Sequence, residues 1–144
     1  MNNIKKISII LSLLLLTNCG SDDRINNCNF LLNVGVNASL NLNLPEFSQL
    51  MFISNSVYIP NQGNGGVYVT NVGNGNYRAW DAYDPNHAPS TCSFLQRDGV
   101  NVTCGCADEN EYSLFTGQAI GDPLPCGLKE YRVTVSGNTL VVSN

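Results

Sequence analysis

The sequence predicts an all-β domain, either a small β-sandwich or a small β-barrel. Apolar and polar residues alternate strictly over residues 34 to 44, which is the period of a half-buried strand. Shorter strand-like runs then recur between turns rich in glycine and asparagine. No stretch shows a convincing 3.6-residue apolar period, so helices are not expected. Spacing alone does not choose between the sandwich and the barrel.

The first strand is predicted over residues 34 to 44, and Pro45 is expected to end it because proline has no amide hydrogen for the ladder. One face of this strand is apolar and carries Val34, Val36, Ala38, Leu40, Leu42 and Leu44. Seven shorter strands are predicted at residues 57–59, 66–70, 77–81, 100–103, 112–115, 131–136 and 139–142. The glycine-rich residues 63 to 66 precede a strand rather than a helix. They therefore predict a hairpin turn and not a phosphate-binding loop.

The amino-terminal residues predict export. Lys5 and Lys6 precede an almost wholly apolar run at residues 7–16, which is too short to span a bilayer and typical of a secretory signal. Leu16-Thr17-Asn18-Cys19 resembles the lipobox of bacterial lipoproteins, which implies acylation of Cys19. The Ser-Asp-Asp run at residues 21–23 resembles the surface-export tether of Bacteroidetes lipoproteins. We therefore expect a signal peptide at residues 1–18, a lipidated tether at 19–33 and the all-β domain at 34–144.

This organisation predicts attachment to the outer membrane through a lipid, which anchors by burying methylene groups. Which face of that membrane the domain occupies, including the cell surface, is left open. Removing residues 1–18 takes away two lysines and no acid from a chain with 7 basic and 11 acidic residues. Such an acidic domain is not expected to bind nucleic acid, which needs a positive surface. A protein or redox partner is not identified by the sequence.

Six cysteines are present, and lipidation of Cys19 would leave five. These are Cys28, Cys92, Cys104, Cys106 and Cys126. An exported protein meets an oxidising environment, so disulfides are expected. Because five is odd, at least one thiol remains unpaired or pairs between molecules.

Several motifs stand in order after residue 57. They are Ala79-Trp80-Asp81, Asp84-Pro85-Asn86-His87, Cys104-Gly105-Cys106, Tyr112-Ser113-Leu114-Phe115-Thr116-Gly117 and Tyr131-Arg132-Val133. With these motifs residues 57–144 resemble a Rieske domain, in which two loops hold a 2Fe-2S cluster. The resemblance implies a small β-sandwich or barrel whose two loops are joined by a disulfide, Cys92–Cys106. The same motifs also resemble a set of small Bacteroidetes lipoproteins.

The ligand positions of that family are largely changed. A Rieske cluster needs two thiolates and two imidazoles, whereas this chain has one histidine, His87. Cys104 matches the cysteine ligand of the second loop, and Ala107 stands where the histidine belongs. In the first loop His87 matches the histidine with Asp84 in place of the cysteine. An alignment backward from Cys92 instead puts His87 at the cysteine position.

The leading hypothesis is a membrane-anchored Rieske-like module without cofactor or catalytic residues, acting in binding or structure. The second hypothesis is an electron-transfer protein that holds a 2Fe-2S cluster through unusual ligands, drawn from Asp84, His87, Cys104, Cys106 and Cys126. The third is a mononuclear metal site of mixed donors that zinc accepts, from Asp84, His87, Cys104 and Asp108. Pairing of Cys104 with Cys28 or with Cys126 also stays open at this point.

Overall fold

The computed structural model describes residues 28–144. The predicted signal peptide, Cys19 and most of the predicted tether lie outside the described residues. The described part forms strands β1 (Asn37–Asn41), β2 (Ser56–Ile59), β3 (Val67–Gly73), β4 (Asn76–Asp81), β5 (Leu95–Asp98), β6 (Asn101–Cys104), β7 (Glu111–Ser113), β8 (Glu130–Ser136) and β9 (Thr139–Ser143), with a short 3-10 helix at Ser48–Met51. None of the helical structure at residues 28–144 is long and apolar enough to cross a membrane.

The strands make two antiparallel sheets. The larger sheet has the order β1-β9-β8-β4-β3-β2, and the smaller has the order β5-β6-β7. Within the larger sheet β4 pairs with β8 only through Ala79 opposite Tyr131 and Trp80 opposite Glu130. This short pairing joins two three-stranded halves. The prediction of an all-β domain is confirmed.

Strand β3 and the second half of β4 are covered on both faces: all residues of β3 except Val72 are buried, and so are Ala79, Trp80 and Asp81 of β4. Val67, Val69 and Ala79 belong to a core that includes residues of β1 and β9. Tyr68 and Trp80, which are opposite each other in the ladder, belong to a second core with residues of the smaller sheet. Side chains alternate between faces along a strand, so the same two strands contribute to both cores.

The first strand is shorter than predicted. The prediction was residues 34–44, whereas β1 covers only Asn37–Asn41, and Val34 and Leu44 are 38% and 44% exposed. The carbonyl of Asn41 accepts the amide of Leu44 at 3.0 Å, and its side-chain oxygen accepts the amide of Asn43 at 3.0 Å. Asparagine side chains favour such turns, so the chain leaves the sheet before Pro45.

Two local features were not predicted. Strand β5 was missed because only Leu95 of its residues is buried, so the sequence shows no alternation there. The predicted strand at 112–115 ends earlier, because the Gly117 amide donates to the Ser113 carbonyl at 2.7 Å and closes a turn. Gly117 has φ +73°, and a Cβ there would lie 2.4 Å from the Trp80 ring, so the site requires glycine.

The glycine-rich residues 63–66 connect the antiparallel strands β2 and β3, as the predicted hairpin requires. The buried carboxylate of Asp81 accepts the amides of Asn64 at 2.8 Å and Gly65 at 3.2 Å, and the hydroxyl of Tyr131 at 2.6 Å. The amides of this turn are therefore satisfied by the protein's own carboxylate.

Candidate functional site

Two loops meet at one end of the smaller sheet. The first loop, residues 82–94, connects β4 to β5, and the second loop, residues 105–110, connects β6 to β7. A disulfide joins Cys92 to Cys106, with Cα atoms 4.8 Å apart, and the Gly105 amide donates to the Cys92 carbonyl at 2.9 Å. The predicted fold class, with two loops joined by a disulfide, is thereby confirmed.

A second disulfide joins Cys28 to Cys126, and Cys104 is the free cysteine among the described residues. Cys104 therefore pairs with neither Cys28 nor Cys126. Cys28 and the buried Leu31 fall within the residues predicted as a tether, yet both contact the folded domain.

The carboxylate of Asp84 is the centre of the polar contacts between the loops. It is fully buried and accepts the Tyr112 hydroxyl at 2.6 Å, the Asn110 side-chain amide at 2.9 Å and the Asn86 backbone amide at 2.8 Å. Burial acts to raise the pKa of Asp84, but these hydrogen bonds outweigh it and hold the pKa below its ordinary value. Asp84 is therefore an ionised group that connects the first loop to β7.

His87 lies between two carboxylates. Its Nδ1 is 2.9 Å from Oδ2 of Asp84, and its Nε2 is 3.1 Å from Oδ2 of Asp108. An ionised carboxylate only accepts hydrogen bonds, so both contacts form together when both ring nitrogens carry hydrogen. The His87 and Asp108 side chains are 30% and 46% exposed, so solvent weakens the second contact more than the first.

Cys104 is buried beside His87. Its Sγ lies 3.6 Å from Nδ1 of His87, 3.5 Å from the carbonyl oxygen of Cys92 and 3.4 Å from the amide nitrogen of Cys106. Burial raises the pKa of Cys104 to about 11; the Cys106 amide offsets only part of that rise, and the negative charges of Asp84 and Asp108 add to it. At neutral pH Cys104 is a protonated thiol.

Sequence reasoning missed the partners of Asp84 and the role of Asn86. The side-chain nitrogen of Asn86 donates to the Tyr112 hydroxyl and to the Cys126 carbonyl, each at 2.8 Å. Its side-chain oxygen accepts the Cys126 amide at 3.2 Å. Asn86 thus links the first loop to the segment held by the second disulfide. A buried tyrosine needs a hydrogen-bond partner for its hydroxyl. This requirement is the feature of the sequence that could have indicated a polar partner for Tyr112.

The residues at the predicted ligand positions form a compact group. Ligand atoms of His87, Cys104 and Cys106 all lie within 4.8 Å of one another. Cys106 is bound to Cys92, however, so its sulfur is not a thiolate while the disulfide is intact. Asp84 and Asp108 lie on opposite sides of His87 and face its two nitrogens.

This donor set does not fit a Rieske cluster. Two thiolates and two imidazoles are required, and the described residues contain one free thiol, Cys104, and one imidazole, His87. The oxygens of Asp84 are already bound by several donors. Cys106 and Cys126, two of the alternative ligands considered from the sequence, are both in disulfides. Cys104 alone among the cysteines considered is free to coordinate.

Comparison with known proteins gave no match to a family model and no match among curated proteins. Several solved structures are similar, among them the following three. The ferredoxin–oxygenase complex of carbazole 1,9a-dioxygenase contains a chain with 15% identity and a TM-score of 0.48, covering 78% of this chain and 94% of that one. A provisionally named NADPH nitrite reductase small subunit has 18% identity and a TM-score of 0.41, covering 73% of this chain and 97% of that one.

The third similar structure is a provisionally named NADH-dependent nitrite reductase small subunit from Mycobacterium tuberculosis. It has 16% identity and a TM-score of 0.43, covering 77% of this chain and 95% of that one. All three TM-scores are below 0.5.

Proposed function

We propose that this chain is a Rieske-like module without a 2Fe-2S cluster, held at the outer membrane by a lipid on Cys19 and acting as a binding or structural component. The observation that carries this proposal is the buried carboxylate of Asp84, which stands at a ligand position of the family and is saturated with hydrogen bonds. A carboxylate turned toward a metal would leave its donors unsatisfied in the interior, at about 1–3 kcal/mol for each one.

The two loops keep their arrangement through contacts that need no metal. The Cys92–Cys106 disulfide closes a separation of 14 residues, and Tyr112 and Asn110 bond across to Asp84 in the first loop. A covalent bridge and a satisfied polar network can fix loop geometry in place of a cluster. These contacts support a structural role for the loop pair.

Metal and sulfide content tests the absence of the cluster. The full-length chain, purified anaerobically with its lipid, is expected to contain no stoichiometric iron and no acid-labile sulfide, and to show no visible absorption. A Rieske protein expressed and purified in the same cells is the positive control for cluster assembly. About two irons and two sulfides per chain, with a coloured protein, would show instead that the chain holds a 2Fe-2S cluster through unusual ligands.

The lipid anchor rests on the sequence at Cys19 and has a separate test. In cells grown with an alkyne-bearing fatty acid, the wild-type chain should become labelled and be found in the membrane fraction. The C19S variant should be unlabelled and absent from the membrane fraction. C104S is the matched cysteine control, because that buried thiol lies outside the lipobox, and it should keep the label. Persistent labelling of C19S would rule out this anchor.

A further inference from the structure

We propose that reduction of the Cys92–Cys106 disulfide opens a binding site for one Zn²⁺ ion, with His87, Cys104 and Cys106 as ligands. The donor atoms of these residues already lie within 4.8 Å of one another. Zinc bonds of about 2.0 Å to nitrogen and 2.3 Å to sulfur place neighbouring donors of a tetrahedral site about 3.5 Å apart. The Sγ of Cys104 and Nδ1 of His87 are 3.6 Å apart, so this pair needs almost no movement.

The surroundings of His87 favour zinc binding through Nδ1 of its ring. Asp108 faces Nε2 at 3.1 Å, and Nδ1 faces both Cys104 and Asp84. Zinc at Nδ1 replaces the 2.9 Å contact of that nitrogen with Asp84, whose carboxylate keeps Tyr112, Asn110 and Asn86 as donors. Metal-binding histidines commonly donate their second nitrogen to a carboxylate, which fixes the ring orientation and strengthens the ligand. Asp108 is therefore a positioning residue for the proposed site rather than a ligand.

The disulfide closes the site in the oxidised protein. With Cys106 bound to Cys92, two of the three proposed ligands remain, His87 and Cys104, whereas protein zinc sites use three or four protein ligands. Reduction releases Cys106 as the third ligand and also frees the Cys92 thiol, whose Cα atom is 4.8 Å from that of Cys106. The mononuclear metal site predicted from the sequence combined His87 and Cys104 with Asp84 and Asp108 instead.

The chemical step balances with a dithiol reductant. The reductant gives two electrons and two protons to the Cys92–Cys106 bond and becomes a disulfide itself, which leaves two cysteine thiols on the protein. Zinc binding then displaces the protons of the coordinating thiols into solvent, so the bound form is a zinc thiolate. No change in oxidation state occurs at the metal.

Cobalt and zinc titrations of the full-length chain test the proposal. A phosphine reductant is used in place of a dithiol, because a dithiol would compete for the metal. After reduction we expect one Co²⁺ per chain with thiolate-to-cobalt charge-transfer absorption, and displacement of that ion by Zn²⁺. The reduced protein should bind zinc at least about a hundredfold more tightly than the oxidised protein, because it offers more ligands.

Substitutions at the ligands test the site without removing the Cys92–Cys106 bridge, which also contributes to folding. H87A and C104S leave Cys92–Cys106 in place, and each should lose tight cobalt binding after reduction because each removes one of the three ligands. D108N changes a half-exposed carboxylate and should weaken zinc binding by roughly tenfold. C126S, outside the ligand group, is the control for reduction of the other disulfide and should retain binding.

Three results would overturn the site: equal zinc affinity before and after reduction, binding without thiolate-to-cobalt absorption, or binding unaffected in H87A. These outcomes are separate from the question of the cluster. The cluster is decided by iron and sulfide in the protein as isolated, whereas the zinc site is decided by added metal after reduction.

Discussion

Replacing Cys28 and Cys126 together with serine is expected to lower the free energy of unfolding by about 4–5 kcal/mol. Replacing Cys92 and Cys106 together should lower it by about 3 kcal/mol. The first bridge closes a separation of 98 residues and the second a separation of 14, and a longer closed loop removes more entropy from the unfolded chain. Denaturant unfolding of the two double variants and of wild type measures the difference.

C104S is the matched control for these variants because it removes a cysteine without removing a bridge. The slope of the unfolding transition should rise in both double variants, since the unfolded chain becomes less compact. If the loss of Cys92–Cys106 proved more destabilising than the loss of Cys28–Cys126, contacts within the two loops would outweigh chain entropy. That result would contradict the predicted ranking of the two bridges.

Replacing Asp84 with alanine is expected to lower the free energy of unfolding by about 3–5 kcal/mol. The substitution leaves the Tyr112 hydroxyl, the Asn110 amide and the Asn86 amide without their acceptor in the interior. D84N keeps the volume of the side chain, so its free energy of unfolding should fall by less than that of D84A. Unfolding free energies of both variants measure the effect, and an exposed aspartate, as in D98N, is the control.

The same carboxylate predicts acid lability. The pKa of Asp84 in the folded protein is below its ordinary value of 3.8, so the folded state binds this proton less readily than the unfolded state. The stability that Asp84 contributes is therefore fully present above the unfolded pKa and is lost as the pH falls through the folded pKa. Wild type should lose stability more steeply than D84N below about pH 4. Parallel curves for the two proteins would contradict this prediction.

Strand positions were predictable where one local pattern decides them. The alternation around Leu40 and the turns between β2, β3 and β4 follow from side-chain period and glycine content. Strand β5 escaped prediction because its position depends on pairing with β6, with Leu95 opposite Cys104, and not on its own sequence pattern. The end of β1 depended on a side-chain bond of Asn41 that competes with the ladder.

The contacts of the candidate site depend on residues far apart in the chain. The Asp84 position was singled out from the sequence, but its donors Asn110 and Tyr112 lie 26 and 28 residues further on. Only the packing of the two sheets brings them together. The bridge between Cys28 and Cys126 was likewise undetermined, because chain order does not decide which distant cysteines meet.

The bridge between Cys28 and Cys126 also decides how the domain responds to mechanical load. A pull applied between residues 28 and 144 passes through the covalent bond, so residues 29–125 lie outside the loaded path. Only the segment that carries β8 and β9 would be peeled away, which lengthens the molecule by roughly 60 Å at most. Most of the domain is shielded from tension by one sulfur–sulfur bond, and its reduction would expose the whole sheet to the force.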